Sequence, residues 1–254
     1  MSSRTRLVFQ VRINQAGELI NIIISDPSKI AANNLGLATW GSSEILANVL
    51  HRIDINLKSI NSLDGRIPIL ELGAGTGLVG LSAALIWRTS VVLTDLDPIL
   101  PNIQANIELN RNQLATYKGS AICGKLDWSY PDRLVLGQSP GNTDDLGMLG
   151  DALPQFDHRP ARIILAADTV YSDEHPELLT HVIKRRLEPG PDSRLILCYP
   201  LRIGNLDYIR ELWERLEDVG LVSIEEGREK KDETWDEEAP YEWCVWRWRD
   251  ADKP

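Results

Sequence analysis

The 254-residue sequence has few of the features that mark secreted, zinc-binding or membrane proteins. Its three cysteines, Cys123, Cys198 and Cys244, are far apart and form no Cys-x-x-Cys pair, so neither a disulfide framework nor a metal site is indicated. The longest apolar run, Leu78 to Trp87, is too short to span a bilayer. The first residues lack the apolar core of a secretory signal. We therefore expect a cytoplasmic protein without a metal.

Positive charge is also scarce. Lysine and arginine number 27 against 37 aspartates and glutamates, which gives a formal net charge of −10. Nucleic-acid binding needs clustered basic residues facing phosphates, so this balance argues against it. A partner with a basic, lysine-bearing surface suits the chain better. The 43% hydrophobic and 25% charged residues fit a globular protein with one compact core. We expect this protein to be monomeric and to bind neither nucleic acid nor membrane.

The pattern of apolar residues divides the chain into two parts. Near the N-terminus, "TRLVFQVRI" and "ELINIIIS" are rich in strand-forming residues and flank a turn with Gly17, which predicts a β-hairpin outside the main sheet. We assign residues 1–34 to this extension and residues 35–254 to the main domain.

Beyond residue 40, helical and strand patterns alternate. Helices are predicted at Leu78 to Trp87, from Asp97 to about Asn110, and before Gly220. Alternating β and α units favour a Rossmann-like, doubly wound fold: a seven-stranded, mostly parallel sheet with an antiparallel last strand. The predicted strands are "IPILEL", "SVVLTD", Ser120 to Cys123, "RIILAA", "RLILCY", "LVSIE" and "YEWCVWRW".

Two segments fit no predicted element. Residues 129–160 are rich in Gly, Pro and Asp and resemble a long insertion. Residues 225–240 hold eight acidic and three basic residues. Both can be solvated loops, but an acidic segment at the mouth of a site would also attract a basic protein surface.

The stretch "ILELGAGTGLVG" holds two overlapping glycine patterns after the first strand of the sheet. From Glu71, the run Gly73, Ala74, Gly75 and Gly77 is typical of S-adenosylmethionine (SAM) sites. From Gly75, it also fits the G-x-G-x-x-G of dinucleotide sites. Glu71 favours SAM over NAD. So does Gly73, because it ends the strand two residues before the dinucleotide pattern begins at Gly75. In SAM sites, such a carboxylate helps organise the turn and the cationic end of the cofactor.

Polar residues follow the next two strands at the same edge of the sheet. Asp95 ends the second strand, and its carboxylate can accept hydrogen bonds from both ribose hydroxyls. Asp127 and Trp128 follow the third strand, where the carboxylate can accept from an adenine amino group while the indole packs on the ring. In a chain with eight tryptophans, Trp128 can equally be an ordinary core residue.

Asp168 and Tyr171 follow the fourth strand. An aspartate there is often only a helix cap, and the tyrosine can simply pack. Their position beside the expected methyl group of SAM makes them the candidate catalytic residues.

Together, "LGLATWGSSEILANVL", "ILELGAGTGLVGLSAA", "VVLTDLD", "LDW" and "ILAADTVY" resemble the seven-β-strand methyltransferases of family 16, which include many protein-lysine methyltransferases. The resemblance implies methyl transfer from SAM to a lysine of a protein such as a translation elongation factor. It also implies a SAM site with Trp40, Gly73 to Gly75, Asp95, Trp128 and Ala167, with Asp168 and Tyr171 at the transfer centre.

Three alternatives stay open from sequence. A small-molecule N-methyltransferase would keep the cofactor residues and act on free amines. An NAD oxidoreductase would bind NADH instead. A non-catalytic interaction protein on this fold would bind SAM without turnover, or not bind it.

Overall fold

A computed structural model describes residues 5–26, 39, 41–61, 65–137, 157–230 and 239–249. The predicted cofactor residue Trp40 and residues 138–156 of the predicted insertion lie outside the described residues.

The N-terminal hairpin is present as predicted. Strands β1 (Thr5–Arg12) and β2 (Leu19–Asp26) pair antiparallel in a sheet of their own. Its inner face is apolar: Ile22 and Ile24 are fully buried and belong to the same core as the helices beneath them. Burial of these side chains stabilises the docked hairpin, at about 25 cal/mol for each Å² of apolar surface removed from water.

The main sheet contains the seven predicted strands and one more. Its spatial order is β6-β5-β4-β3-β7-β8-β10-β9. The central strands are parallel, β10 runs antiparallel to both of its neighbours, and β6 runs antiparallel to β5. The strands are β3 (Ile67–Leu72), β4 (Ser90–Asp95), β5 (Ser120–Lys125), β6 (Val135–Leu136), β7 (Ala161–Ala167), β8 (Arg194–Pro200), β9 (Leu221–Glu229) and β10 (Tyr241–Trp248).

Helices cover both faces of the sheet and divide the core in two. One core lies under α1, α3, α4, α5 and the hairpin, and the other under α6 and α7. None of the helices in the described ranges is long and apolar enough to cross a membrane. The helices are α1 (Gly41–Val49), α2 (Leu57–Ile60), α3 (Leu78–Trp87), α4 (Leu100–Leu109), α5 (Arg111–Thr116), α6 (His175–Arg186) and α7 (Leu206–Asp218), with short 3-10 helices at Leu50–Arg52 and Ile203–Asn205.

Strand order reverses between β3 and β7. The chain steps outward from β3 to β4 and β5, then returns to the other side of β3 as β7. In open parallel sheets, ligands bind in the crevice outside the carboxyl ends of the strands at such a point. The loops that follow β3, β4, β5, β7 and β8 therefore form the candidate site.

The ends of the predicted insertion are ordered, which corrects the expectation that 129–160 holds no element. The two-residue strand β6 pairs with β5, and Leu134 is fully buried. Arg186 of α6, which is 1% exposed, holds both ends: its Nε donates to the Pro131 carbonyl at 2.7 Å and its Nη1 to the Asp157 carbonyl at 2.6 Å. A two-residue strand is too short to produce a sequence period, so the sequence did not indicate it.

The acidic segment is also partly structured. Residues 226–229, which fitted no predicted element, extend the predicted strand into the second half of β9 and pair with β10. Glu229 forms an ion pair with Arg52 at 2.5 Å. Residues 231–238 lie outside the described ranges. An edge strand can carry charge because one face and one edge meet water, so its composition resembles a loop.

Candidate active site

A cavity of about 500 Å³ opens at the carboxyl ends of the strands, within the usual size range of small-molecule sites. Nine of the predicted site residues line it: Gly73, Ala74, Gly75, Asp95, Asp127, Trp128, Ala167, Asp168 and Tyr171. Of the other predicted residues, Glu71 and Gly77 do not line it. No group of three or more His, Cys, Asp or Glu residues able to hold a metal occurs in the described part of the chain.

The glycine turn links β3 to α3 with three left-handed residues. The φ angles of Gly73, Gly75 and Gly77 are 62°, 55° and 81°, values that side chains with a Cβ rarely adopt. At Gly73 an added Cβ would also lie 3.1 Å from the Trp128 ring. The turn therefore requires glycine for its backbone angles and, at Gly73, for the close approach of the indole.

Asp95 connects the glycine turn to the end of β4. Its Oδ2 accepts from the Gly75 N–H and its Oδ1 from the Leu96 N–H, both at 2.8 Å. Burial raises the pKa of this carboxyl, and the two N–H donors oppose the shift. A carboxylate has about four acceptor positions, so two remain for the hydroxyls of a ribose.

Glu71 lies behind the turn and does not line the cavity, and its predicted role at the cofactor stays a prediction. It is 2% exposed, and its Oε2 accepts from the Gly80 N–H at 2.9 Å in the first turn of α3. Burial raises its pKa to about 8; the Gly80 N–H opposes this shift and the charge of Asp95 adds to it. Its side chain thus holds the helix that follows the turn and is protonated at neutral pH.

An aromatic pair forms one wall of the cavity. The Trp128 ring packs edge-on against His175 with centroids 5.6 Å apart. Burial lowers the pKa of His175, so the imidazole is neutral at pH 7. Asp127 accepts from the Ser129 N–H through Oδ1 and lines the cavity beside Trp128. A flat indole face next to a carboxylate suits an adenine ring.

Asp168 occupies a strained position at the end of β7. Its φ is 58°, a left-handed value that costs a residue other than glycine on the order of 1 kcal/mol or more. Its N–H donates to the Cys198 carbonyl at 2.9 Å. The carboxylate accepts from the Ser42 hydroxyl at 3.3 Å through Oδ2 and pairs with Arg202 at 3.5 Å through Oδ1. Contacts with Ser42, Cys198 and Arg202 therefore hold this carboxylate toward the cavity.

Tyr171 lies at the open side of the cavity and is 62% exposed. His175 fixes it: Nδ1 accepts from the Tyr171 N–H at 3.3 Å, and the two rings pack edge-on with centroids 4.2 Å apart. Partial desolvation, followed by the charges of Asp95 and Asp168, raises the pKa of the phenol. The hydroxyl is therefore a neutral donor and acceptor near Asp168.

The cavity also contains residues that the sequence did not single out, among them Thr76, His175 and Arg202. Arg202 comes two residues after the end of β8, so it follows a strand as the predicted site residues do. Thr76 lies within the predicted glycine turn, whereas His175 carries no signal in the sequence because it lies at the start of α6, and its partner Trp128 is distant in sequence.

The sheet topology and the lining of the cavity fit a SAM-dependent methyltransferase of the Rossmann-like class. The sequence model of the lysine methyltransferase family matches residues 24–139. A second comparison agrees: the chain is 32% identical to protein-lysine N-methyltransferase rrg1 of Schizosaccharomyces pombe over 231 residues, which are 91% of this chain and 67% of that protein. The chain therefore belongs to the lysine methyltransferase family, and the predicted family, enzyme class and SAM cofactor are confirmed.

Two further relatives match over part of their length. Protein-lysine N-methyltransferase EFM2 of Saccharomyces cerevisiae is 32% identical over 230 residues, which are 85% of this chain and 48% of that protein. Protein-lysine methyltransferase METTL21E of Bos taurus is 36% identical over 152 residues, which are 58% of this chain and 41% of that protein. The chain thus spans about two thirds of rrg1 and about half of EFM2.

Proposed function

We propose that this chain methylates the Nζ amine of a lysine in a protein substrate, with SAM bound in the cavity. The observation that carries the proposal is that two kinds of groups line one cavity. Asp95 and Trp128 line it with chemistry suited to a nucleoside, and Asp168 and Tyr171 line it with groups suited to an amine. The volume of about 500 Å³ and the close approach at Gly73 fit a compact nucleoside cofactor.

The reaction requires a neutral amine. A lysine ammonium, with an ordinary pKa of about 10.4, has no lone pair and must first lose a proton to solvent. When bound, SAM would supply an electrophilic methyl group to this neutral amine. Asp168 can accept a hydrogen bond from the amine, and Tyr171 can orient it. The Arg202 guanidinium, 3.5 Å from the Asp168 carboxylate, disfavours a second cation there and so favours the neutral amine.

A protein substrate is supported by the apolar rim beside Asp168. Ile203 is 91% exposed and Tyr171 62% exposed. The turn that carries Ile203 is held against the Tyr171 loop, because Asn205 Nδ2 donates to the Val170 carbonyl at 3.5 Å and Arg202 pairs with Asp168. Apolar side chains fixed outside the cavity suit a polypeptide surface better than a free amine.

We extend the proposal to a translation elongation factor as substrate, a cytoplasmic location and a monomeric enzyme. The substrate class follows from the resemblance to family 16, and the acidic net charge of −10 suits a basic surface around the target lysine.

Incubation with methyl-labelled SAM tests the function. Purified translation elongation factors and, separately, free lysine and simple amines serve as acceptors. We expect label in a protein, located to a lysine by mass spectrometry, and its loss in Asp168→Asn. Asp173→Asn, an exposed aspartate of the same loop, is the matched control and should retain activity. Label only in free amines would favour a small-molecule enzyme, and SAM binding without any transfer an interaction protein.

A further inference from the structure

Two buried asparagines contact the N-terminal hairpin: Asn106 in helix α4 and Asn110, the residue that directly follows this helix. Asn106 is fully buried and Asn110 is 1% exposed. Asparagine is a poor helix former, because its amide competes with the backbone for hydrogen bonds. Asn106 lies inside the helix at a fully buried position, so its amide requires hydrogen-bond partners.

Both amides bind the N-terminal hairpin along β2. Asn110 Oδ1 accepts from the Ile23 N–H at 2.9 Å, and its Nδ2 donates to the Ile23 carbonyl at 2.7 Å. Asn106 Oδ1 accepts from the Ser25 N–H at 2.8 Å. The two side chains continue the hydrogen bonding of β2 on the edge away from β1.

The amide of Asn106 also binds the glycine turn. Its Nδ2 donates to the Thr76 carbonyl at 2.9 Å. Thr76 lies between Gly75 and Gly77 and lines the cavity. One rigid, planar amide thus joins the hairpin to the backbone of the cofactor turn, over separations of 81 and 30 residues.

We propose that Asn106 is a positioning residue that fixes the glycine turn for SAM and couples the N-terminal hairpin to cofactor binding. The inference rests on the proposed SAM-binding role of the cavity. The Thr76 carbonyl belongs to the peptide group that leads into Gly77, so its hydrogen bond to Asn106 resists rotation of that peptide. Coupling between two sites is reciprocal, so a ligand that orders the turn also stabilises the contact between Asn106 and Ser25.

Hydrogen–deuterium exchange of the full chain, with and without S-adenosylhomocysteine, tests the coupling. The peptide covering 73–80 reports the turn and the peptide covering 19–26 reports β2. We expect slower exchange in both when the ligand is bound. Slower exchange at 73–80 with none at 19–26 would overturn the coupling. Absence of any ligand binding would instead contradict the proposed function.

Matched variants separate a positioning role from a structural one. Asn106→Asp keeps the acceptor for Ser25 and places a second acceptor against the Thr76 carbonyl. We expect about a tenfold loss of S-adenosylhomocysteine affinity by calorimetry, and no ligand-dependent protection at 19–26. Asn110→Ala loosens β2 but leaves Asn106 bonded to the Thr76 carbonyl, so Tm should fall while affinity falls by less than in Asn106→Asp. Exposed Asn112→Ala is the control. A lower Tm with unchanged affinity in Asn106→Asp would mean that Asn106 is only structural.

Discussion

Replacing Glu71 by glutamine should stabilise the protein at pH 8 and leave its stability unchanged near pH 4.5. Glu71 is buried behind the glycine turn, and burial raises its pKa from 4.5 to about 8. Glutamine has the shape of the protonated acid and keeps an oxygen that can accept from the Gly80 N–H, whose distance to Glu71 Oε2 is 2.9 Å. The variant therefore retains the native contact without a group that ionises on unfolding.

The size and sign of the effect follow from proton binding. Below about pH 4.5 the carboxyl is protonated in both states, so wild type and variant are equally stable. Between pH 4.5 and about 8 the unfolded chain releases the proton and the folded chain keeps it. The wild type then loses about 1.4 kcal/mol for each pH unit. Relative to wild type, Glu71→Gln should gain about 3 kcal/mol at pH 7 and about 5 kcal/mol above pH 8.

Urea unfolding followed by circular dichroism, from about pH 5 to pH 8.5, measures this difference. Glu214→Gln removes one negative charge from the exposed surface of α7 and controls for net charge. A variant less stable than wild type at pH 8, or a difference that does not change with pH, would refute the argument. Either result would mean that Glu71 is ionised in the folded protein.

Three other outcomes are expected. Asp95→Ala should abolish the rise in Tm caused by SAM, because it removes both the tie to Gly75 and the acceptors for the ribose; a preserved shift in a thermal melt would contradict this. Asp168→Asn and Tyr171→Phe should each lower kcat by about a hundredfold while SAM affinity changes little, since they handle the amine; parallel loss of SAM binding would assign them to the cofactor. Replacement of the acidic residues of 225–238 by Ser and Asn should lower kcat/KM for the protein substrate and flatten its salt dependence, with SAM binding unchanged; unaltered kinetics would exclude this segment from substrate recognition.

The central elements were predictable because their patterns are local. Strands β3 and β4 and helix α3 have the predicted bounds, since a fully buried strand or helix shows as a continuous apolar run between turn residues. The edges of the sheet were not predictable in the same way. Strand β6 is too short for a pattern, and the end of β9 is polar because it lies at the exposed edge of the sheet.

By itself the sequence determined the class of the fold, the glycine turn, and the order in which Asp95, Trp128, Asp168 and Tyr171 reach one edge of the sheet. These features depend on periodicity and on residues adjacent in the chain. Only the tertiary structure decided that Glu71 lies behind the turn, that Arg202 pairs with Asp168, and that Asn106 joins the hairpin to Thr76. The contacts of Arg202 and Asn106 join segments far apart in sequence, and the contact of Glu71 with Gly80 spans nine residues. In each case the partners are chosen by how the buried strands and helices pack.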